Sequence, residues 1–425
     1  MKVNMGKINL FMHSFIFLIT LVIVGISNGF AQDLQDIKRQ YSFIKILSNK
    51  IQNDGTALDS FYTQLQQLKT NKNNTVRITH IGDSHLQADL FSGKVREQMQ
   101  LTFGNAGRGL VVPYKVGRTN EPYTYKTSSN NIWKSKRNIA IADSMPTGVG
   151  GLTLKTEEMN ASIQITVGNK PNLNYQFNKV TLFHEKCFNC FDFEITDSCG
   201  GTSGMVSSLP SADKKFHSEV VLLNYENTIG LHTRLRTFTH PSYTMIYGLA
   251  LENSKSGMLY NTIGINGAEY RHYNKSLYFQ EQQKVLKPNL IIISLGTNEA
   301  FSRSFDPAIF KSQVDTLISA LKLNNPQASL LVTIPGDHFR SRKYKNNNIP
   351  IARNVLIDYC NANNIAYWDL FEIMGGLGSI AKWNAKKLTS KDLLHLNRKG
   401  YELQGELLFQ AIISGFLHFE LRRPK

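Results

Sequence analysis

The stretch Thr75-Val76-Arg77-Ile78-Thr79-His80-Ile81-Gly82-Asp83-Ser84-His85 decides how the chain is read. Its first seven residues, rich in β-branched side chains, predict a strand over Thr75 to Ile81. A glycine, a carboxylate and a hydroxyl follow at once. In a parallel sheet the loop after such a strand lies at the C-terminal edge, where ligands bind. Ser84 is therefore placed where a nucleophile is useful. Read alone, it serves equally well as a turn residue capping the helical stretch expected to run through Met99.

The same α/β alternation resumes far downstream. Pro288 to Leu295 is an apolar run suited to a buried parallel strand, and Asp306-Pro307 opens a helix with an N-cap and a proline in its first turn. Ile309, Phe310, Val314, Leu317, Ile318 and Leu321 give that helix an apolar face. Ser329 to Ile334 predicts a strand, Ile351 to Ala362 a helix, Ile365 to Leu370 a strand, and a terminal helix starts near Asn397. Upstream, Leu58, Phe61, Tyr62, Leu65 and Leu68 recur at helical spacing and predict a packing helix in an N-terminal segment, residues 32–72. Between residues 115 and 260 the texture changes. Short alternating runs such as Ser162 to Val167, Val180 to His184, Phe191 to Ile195 and Val220 to Asn224 sit between Gly, Asn, Ser and Lys clusters, as in an all-β sandwich. The expected fold is α/β, a doubly wound parallel sheet formed by 73–114 and 261–425 and interrupted by an inserted β-sandwich at 115–260.

Acyl transfer near neutral pH needs a hydroxyl nucleophile, a base in reach, a carboxylate to orient the base, and donors facing the developing oxyanion. Asp392 and His395, in Ser390-Lys391-Asp392-Leu393-Leu394-His395, form a D-x-x-H turn that can set a carboxylate beside one ring nitrogen and leave the other for a hydroxyl. As a pair they are equally a surface turn with a capping Asp. Asn298, in Gly296-Thr297-Asn298-Glu299, and the backbone N–H groups of Ser84 and of Gly267, in Gly264-Ile265-Asn266-Gly267-Ala268, are candidate oxyanion donors. Each glycine loop alone is an ordinary tight turn.

Their order along the chain carries more than any one of them. Ser early, a Gly-bearing loop, G-x-N after a strand and D-x-x-H near the end resemble the SGNH/GDSL hydrolase superfamily over about residues 75–110 and 260–410. That resemblance implies Ser84 as nucleophile, Asp392 and His395 as triad partners, and Ser84, Gly267 and Asn298 as the oxyanion hole, with no metal or organic cofactor. His85 stands where the longer G-D-S-L form has Leu. The position of the interruption, between the Ser and Gly blocks, resembles the bacterial peptidoglycan O-acetylesterases and implies removal of acetyl groups from a glycan. A glycan O-acetyltransferase using the same triad and a non-catalytic glycan-binding protein are the alternatives.

Composition sets the setting. The 425 residues are 41% hydrophobic and 10% aromatic, enough for more than one core, and show no internal repeat. Lys2 and Lys7, an apolar run from Phe15 to Ile26, and small residues up to Ala31 form an export-signal pattern over 1–31, with an uncleaved anchor as the alternative. An exported, periplasmic or cell-envelope enzyme is expected. The formal charge of +16 favours polyanions, but the positive residues are scattered, with short clusters at Lys134 to Arg137 and Arg340 to Lys345. The expected partner is an O-acylated cell-wall glycan and not nucleic acid. Cys187 and Cys190 form a C-x-x-C near Cys199, compatible with a disulfide plus a spare thiol or with half of a zinc site that lacks its second pair. The glycine-rich run Phe103 to Gly109 reads as a rim loop, with Arg108 as a candidate substrate contact. His80, His85 and His338 lack metal-ligand spacing.

Overall fold

The computed structural model describes residues 35–70, 74–140, 145–213, 215–235 and 242–422. The expected export signal, 1–31, lies outside the described residues. Five parallel strands form the central sheet: β2 (Thr75–Gly82), β3 (Gly257–Gly264), β4 (Leu290–Ser294), β5 (Ser329–Ile334) and β6 (Ala366–Asp369). Their spatial order is β6-β5-β4-β2-β3. A short strand from the N-terminal segment, β1 (Ile51–Gln52), pairs antiparallel with the outer side of β6. No local pattern in the sequence marks this strand, which covers an otherwise open edge. Chain order therefore reverses between β2 and β4, the switch point at which a crevice opens above a doubly wound sheet.

Both faces of the sheet are covered, which is why strands such as Leu290-Ile291-Ile292-Ile293 are apolar throughout. On one face lie α1 (Asp59–Thr70), α3 (Phe91–Phe103) and the terminal α6 (Arg398–Arg422). On the other lie α4 (Pro307–Asn324) and α5 (Asn348–Ala362). The start of α4 follows its sequence signal: the Asp306 carboxylate accepts from the Ala308 and Ile309 amides, and Pro307 takes the first turn.

Between β2 and β3 the chain builds two antiparallel sheets. One has the order Thr202–Val206, Asp192–Thr196, Thr228–Arg234, Ser162–Val167, Tyr125–Ser128. The other has the order His217–Glu226, Phe177–His184, Thr244–Glu252, Leu152–Thr156, Lys134–Arg137, and Gly109–Val111 also pairs with Thr244–Glu252. Ile163, Ile165, Phe193 and Leu249 from these sheets belong to the same buried apolar cluster as Ile291, Ile293 and Val314 beneath the parallel sheet. The inserted sheets thus share one buried core with the parallel sheet. Cys187 and Cys190 are joined by a disulfide; Cys199 is exposed and Cys360 buried as free thiols. Among the described residues no helix is long and apolar enough to cross a membrane.

Two local expectations are corrected. The helix after β2 is not continuous: α2 (Ser84–Gln87) ends before Asp89, whose φ of 54° breaks it, and α3 begins at Phe91. Arg108 is not a rim residue either. It is 1% exposed and donates to Asp89 Oδ2 at 2.7 Å. The same carboxylate receives both Nη atoms of the buried Arg96, at 3.0 and 2.6 Å. The left-handed turn at Asp89 turns its side chain inward between the two guanidinium groups. Burial alone would raise the Asp89 pKa, but Arg96 and Arg108 hold it well below the usual carboxylate range. In the unfolded chain the group returns to about 3.9. Its stabilisation is therefore complete above that pH and disappears as pH falls further. Asp89→Asn leaves two buried cations without a counter-charge and is expected to cost about 3–5 kcal/mol in urea unfolding at pH 7, with a smaller gap from wild type at pH 3. A loss below about 1 kcal/mol at pH 7 would contradict this account.

Candidate active site

The strand register assembles the site. Gly82, the last residue of β2, pairs with Gly264 on β3 and Ser294 on β4. The three strands end level, so Ser84, Gly267 and Asn298, a few residues further on, emerge at one rim. The edge is pinned from above: Tyr114 Oη donates to the Gly264 carbonyl at 2.8 Å, and Tyr273 Oη donates to the Gly82 carbonyl. Gly82 has no room for a side chain, since a Cβ there would lie 2.8 Å from the Ser294 carbonyl oxygen. Asp83 N-caps α2 by accepting from the His85 amide at 2.9 Å. Ser84 is the first residue of that helix, where backbone N–H groups have no intrahelical acceptor.

The D-x-x-H turn closes on this rim. Asp392 Oδ1 accepts from the Leu394 and His395 amides, both at 3.0 Å, which leaves Oδ2 for His395 Nδ1 at 2.7 Å. The turn requires Leu393 at φ 56°, and the Leu393 carbonyl accepts from the Phe339 amide. A carboxylate at Nδ1 keeps the proton there and leaves Nε2 as the acceptor. Nε2 lies 2.8 Å from Ser84 Oγ. Burial would push the Asp392 pKa up, but the hydrogen bonds from the His395 ring and from the His395 and Leu394 amides outweigh it, holding the carboxylate ionised.

The candidate oxyanion donors differ in readiness. Gly267 sits at φ 80°, and among the described residues its amide has no acceptor. Asn298 is occupied: its Nδ2 donates to the Ala268 carbonyl at 2.9 Å and to Asp83 Oδ2 at 3.2 Å. It ties the Gly-bearing loop to the Ser block, and donation to an oxyanion requires it to share or release one of those bonds.

Gln87 carried no sequence signal beyond its closeness to Ser84, and the histidines around it only a weak one for metal. Gln87, one turn along α2, accepts from the Asn266 amide at 2.6 Å and donates to the Asn120 carbonyl and Thr119 Oγ1, both at 2.8 Å. His85 pairs through Nδ1 with Tyr401 Oη at 2.8 Å, and its ring centroid lies 5.0 Å from that of His395. Burial, then the nearby His395 and His338, keep His85 neutral. His80 bonds Tyr260 and Ser294, and His338 bonds Asn346. Glu299, next to Asn298, accepts from the Tyr270 amide, and burial raises its pKa to about 8.

A serine on a sharp strand-to-helix turn, bonded to an imidazole that is bonded to a carboxylate, is the arrangement found in serine hydrolases. Residues 234–403 match the family described as GDSL-like lipase/acylhydrolase. The matched stretch includes Gly267, Asn298, Asp392 and His395, and leaves the Ser84 block on the far side of the inserted sheets. Nothing matches among curated proteins. Among solved structures, a peptidoglycan O-acetylesterase is similar at 21% identity and a TM-score of 0.71, over 87% of this chain and 99% of that one. A lipase/acylhydrolase from Enterococcus faecalis (21% identity, TM-score 0.30) covers 37% of this chain and 77% of its own. An acetyl xylan esterase (17%, 0.31) covers 36% of this chain and 81% of its own. The match over 234–403 supports the class of carboxylic ester hydrolase, of the GDSL-like lipase/acylhydrolase kind. Within that class its whole fold, inserted sheets included, resembles that of the peptidoglycan O-acetylesterase.

Asp83 supplies a test of the buried electrostatics. Burial, only partly offset by the His85 amide and by His395, raises its pKa from 3.8 to about 7. The folded protein holds a proton that the unfolded chain releases, so this group's contribution to stability falls as pH rises through that interval. Asp83→Asn removes the titration. The unfolding free energy of the variant relative to wild type is expected to improve steadily from pH 4 to pH 7 and then level off, as read from urea melts. A difference that stays flat across the interval would show that Asp83 ionises normally.

Proposed function

We propose that this protein is an exported serine esterase that removes O-linked acetyl groups from a cell-wall glycan. The observation that carries the reading is the relay from Asp392 Oδ2 to His395 Nδ1 at 2.7 Å and from His395 Nε2 to Ser84 Oγ at 2.8 Å. In this mechanism His395 takes the Ser84 proton as Oγ bonds to the ester carbonyl carbon. The negative charge on the carbonyl oxygen is met by the Ser84 and Gly267 amides and by the Asn298 side chain. The C–O bond to the sugar then breaks, and the sugar oxygen leaves with the proton from His395. Water, deprotonated by His395, attacks the acyl-enzyme; acetate departs and Ser84 regains its proton. Asp392 holds the ring orientation and stabilises the imidazolium throughout.

The glycan part of the reading is supported by the likeness over almost the whole of a structure named as a peptidoglycan O-acetylesterase. An envelope location is supported by the export-signal pattern at 1–31 and by a glycan substrate of that kind. We assign residues 73–114 and 261–425 to the hydrolase, 115–260 to the insertion and 32–72 to an N-terminal segment, with the second boundary moved back to Gly257, where β3 of the parallel sheet begins.

Ser84→Ala is expected to reduce hydrolysis of p-nitrophenyl acetate by at least about a thousandfold without lowering the melting temperature. Asp392→Asn should lower kcat by about 10²–10⁴-fold, and Asn298→Ala by about 10²–10³-fold. Substantial turnover by Ser84→Ala would remove the serine from its role. Acetate release from O-acetylated peptidoglycan, measured against acetylated xylan, tests the polymer.

A further inference from the structure

The edge strand Lys134–Arg137 of the inserted sheets reads Lys-Ser-Lys-Arg, and its side chains are exposed or half-buried. Across a groove from it lies Arg118, exposed and at φ 58°; Lys136, Arg137 and Ile139 complete the lining. Ser135 Oγ donates to the Gly117 carbonyl at 3.2 Å and ties the strand to the Arg118 loop. A second hollow, which shares Arg118 and Ser135 with the first, is lined by Lys134 and Lys155. Two of these cations are already engaged: Lys155 pairs with Glu157 at 2.8 Å, and Lys136 donates to the Met145 carbonyl at 2.6 Å. Arg118 and Arg137 form no ion pair among the described residues.

One end of the groove borders the Gly267 loop. Ile139 Cδ1 lies 3.8 Å from where a Cβ on Gly267 would stand, so the groove ends against the candidate oxyanion loop. Thr119 and Asn120, which follow Arg118, are the residues that Gln87 binds one turn from Ser84. The groove is thus tied to the Ser84 rim at two points, through Ile139 and through Thr119 and Asn120. An acetyl ester is neutral and gives such cations nothing to bind. Two guanidinium groups with no ion pair among the described residues, in a concave surface that focuses their field, suit an anionic group carried by the polymer beside the ester.

We propose that Arg118 and Arg137 form a substrate subsite for a carboxylate on the glycan, so that the enzyme prefers acetyl esters on acidic chains over those on neutral ones. This rests on the esterase reading above. The test compares three O-acetylated polymers, polygalacturonate, peptidoglycan and neutral xylan, with p-nitrophenyl acetate as the uncharged control. Arg118→Asn is chosen because Asn tolerates the left-handed backbone at this position, and it is combined with Arg137→Ala.

The double variant is expected to lose at least about tenfold in kcat/KM on an acidic polymer, mainly through KM, with xylan and p-nitrophenyl acetate changed less than about twofold. Raising NaCl from about 0.05 to 0.5 M should depress the wild-type rate on acidic polymers only, and Arg137→Lys should retain part of the preference. Which acidic polymer responds separates a uronate carboxylate from one carried by peptidoglycan. Equal losses on acidic and neutral polymers, or no loss on either, would overturn the subsite. If wild type fails to hydrolyse p-nitrophenyl acetate, the esterase reading fails instead. The subsite is then still tested by titrating Ser84→Ala protein, with and without the double substitution, with de-acetylated polygalacturonate: equal affinities would overturn it.

Discussion

Three adjacent parallel strands end on the same level, and every other feature of the site depends on that register. Because Gly82 pairs with both Gly264 and Ser294, the residues that follow each strand meet at one rim although they are far apart in the chain. A slip of one residue in either ladder would turn the strand's side chains to the opposite face and move its loop away. The lack of space at Gly82, the tyrosine hydroxyls on the two strand-end carbonyls and the apolar residues on both faces all hold this alignment. The Ser84–His395 hydrogen bond, across 311 positions, is one result of it.

The rim is electrostatically costly. Asp83 and Glu299 are both nearly fully buried beside Asn298, and burial raises both carboxyl pKa values toward neutrality. Asp392 is treated differently: it is partly exposed and receives two amides and an imidazole, so it stays charged. Carboxyl groups within one loop cluster therefore differ in ionisation because their solvation and donors differ. Asn298, held between Asp83 and the Ala268 carbonyl, links the Ser block to the Gly-bearing loop.

The inserted sheets are part of the site's construction. Thr119 and Asn120 hold Gln87, Tyr123 stacks against Arg398 at the start of α6, and Ile139 sits against Gly267. Beneath them the buried Asp89–Arg96–Arg108 cluster reaches Thr124. Sequence between the Ser and Gly blocks thus supplies one side of the site, and differences there can change what enters without touching the Asp392–His395–Ser84 hydrogen bonds.

The sequence by itself determined four of the five parallel strands and the helices α1, α4, α5 and α6, because each carries a local periodicity or cap: Ser329–Ile334 appears with the bounds its apolar run predicts, and α4 starts at the Asp306-Pro307 signal, whereas β3 carried no separate signal beside the insertion. It also singled out Ser84, Gly267, Asn298, Asp392 and His395, through residue types and chain order. What only the tertiary structure decided are the long-range pairings. That β1 would extend the sheet at β6, that Arg108 would turn inward to Asp89, and that Asn298 would spend both N–H groups on Asp83 and Ala268 depend on partners brought together by the register. Local sequence sets propensity and capping within a few residues; burial and charge pairing belong to surfaces that exist only once the sheet has closed.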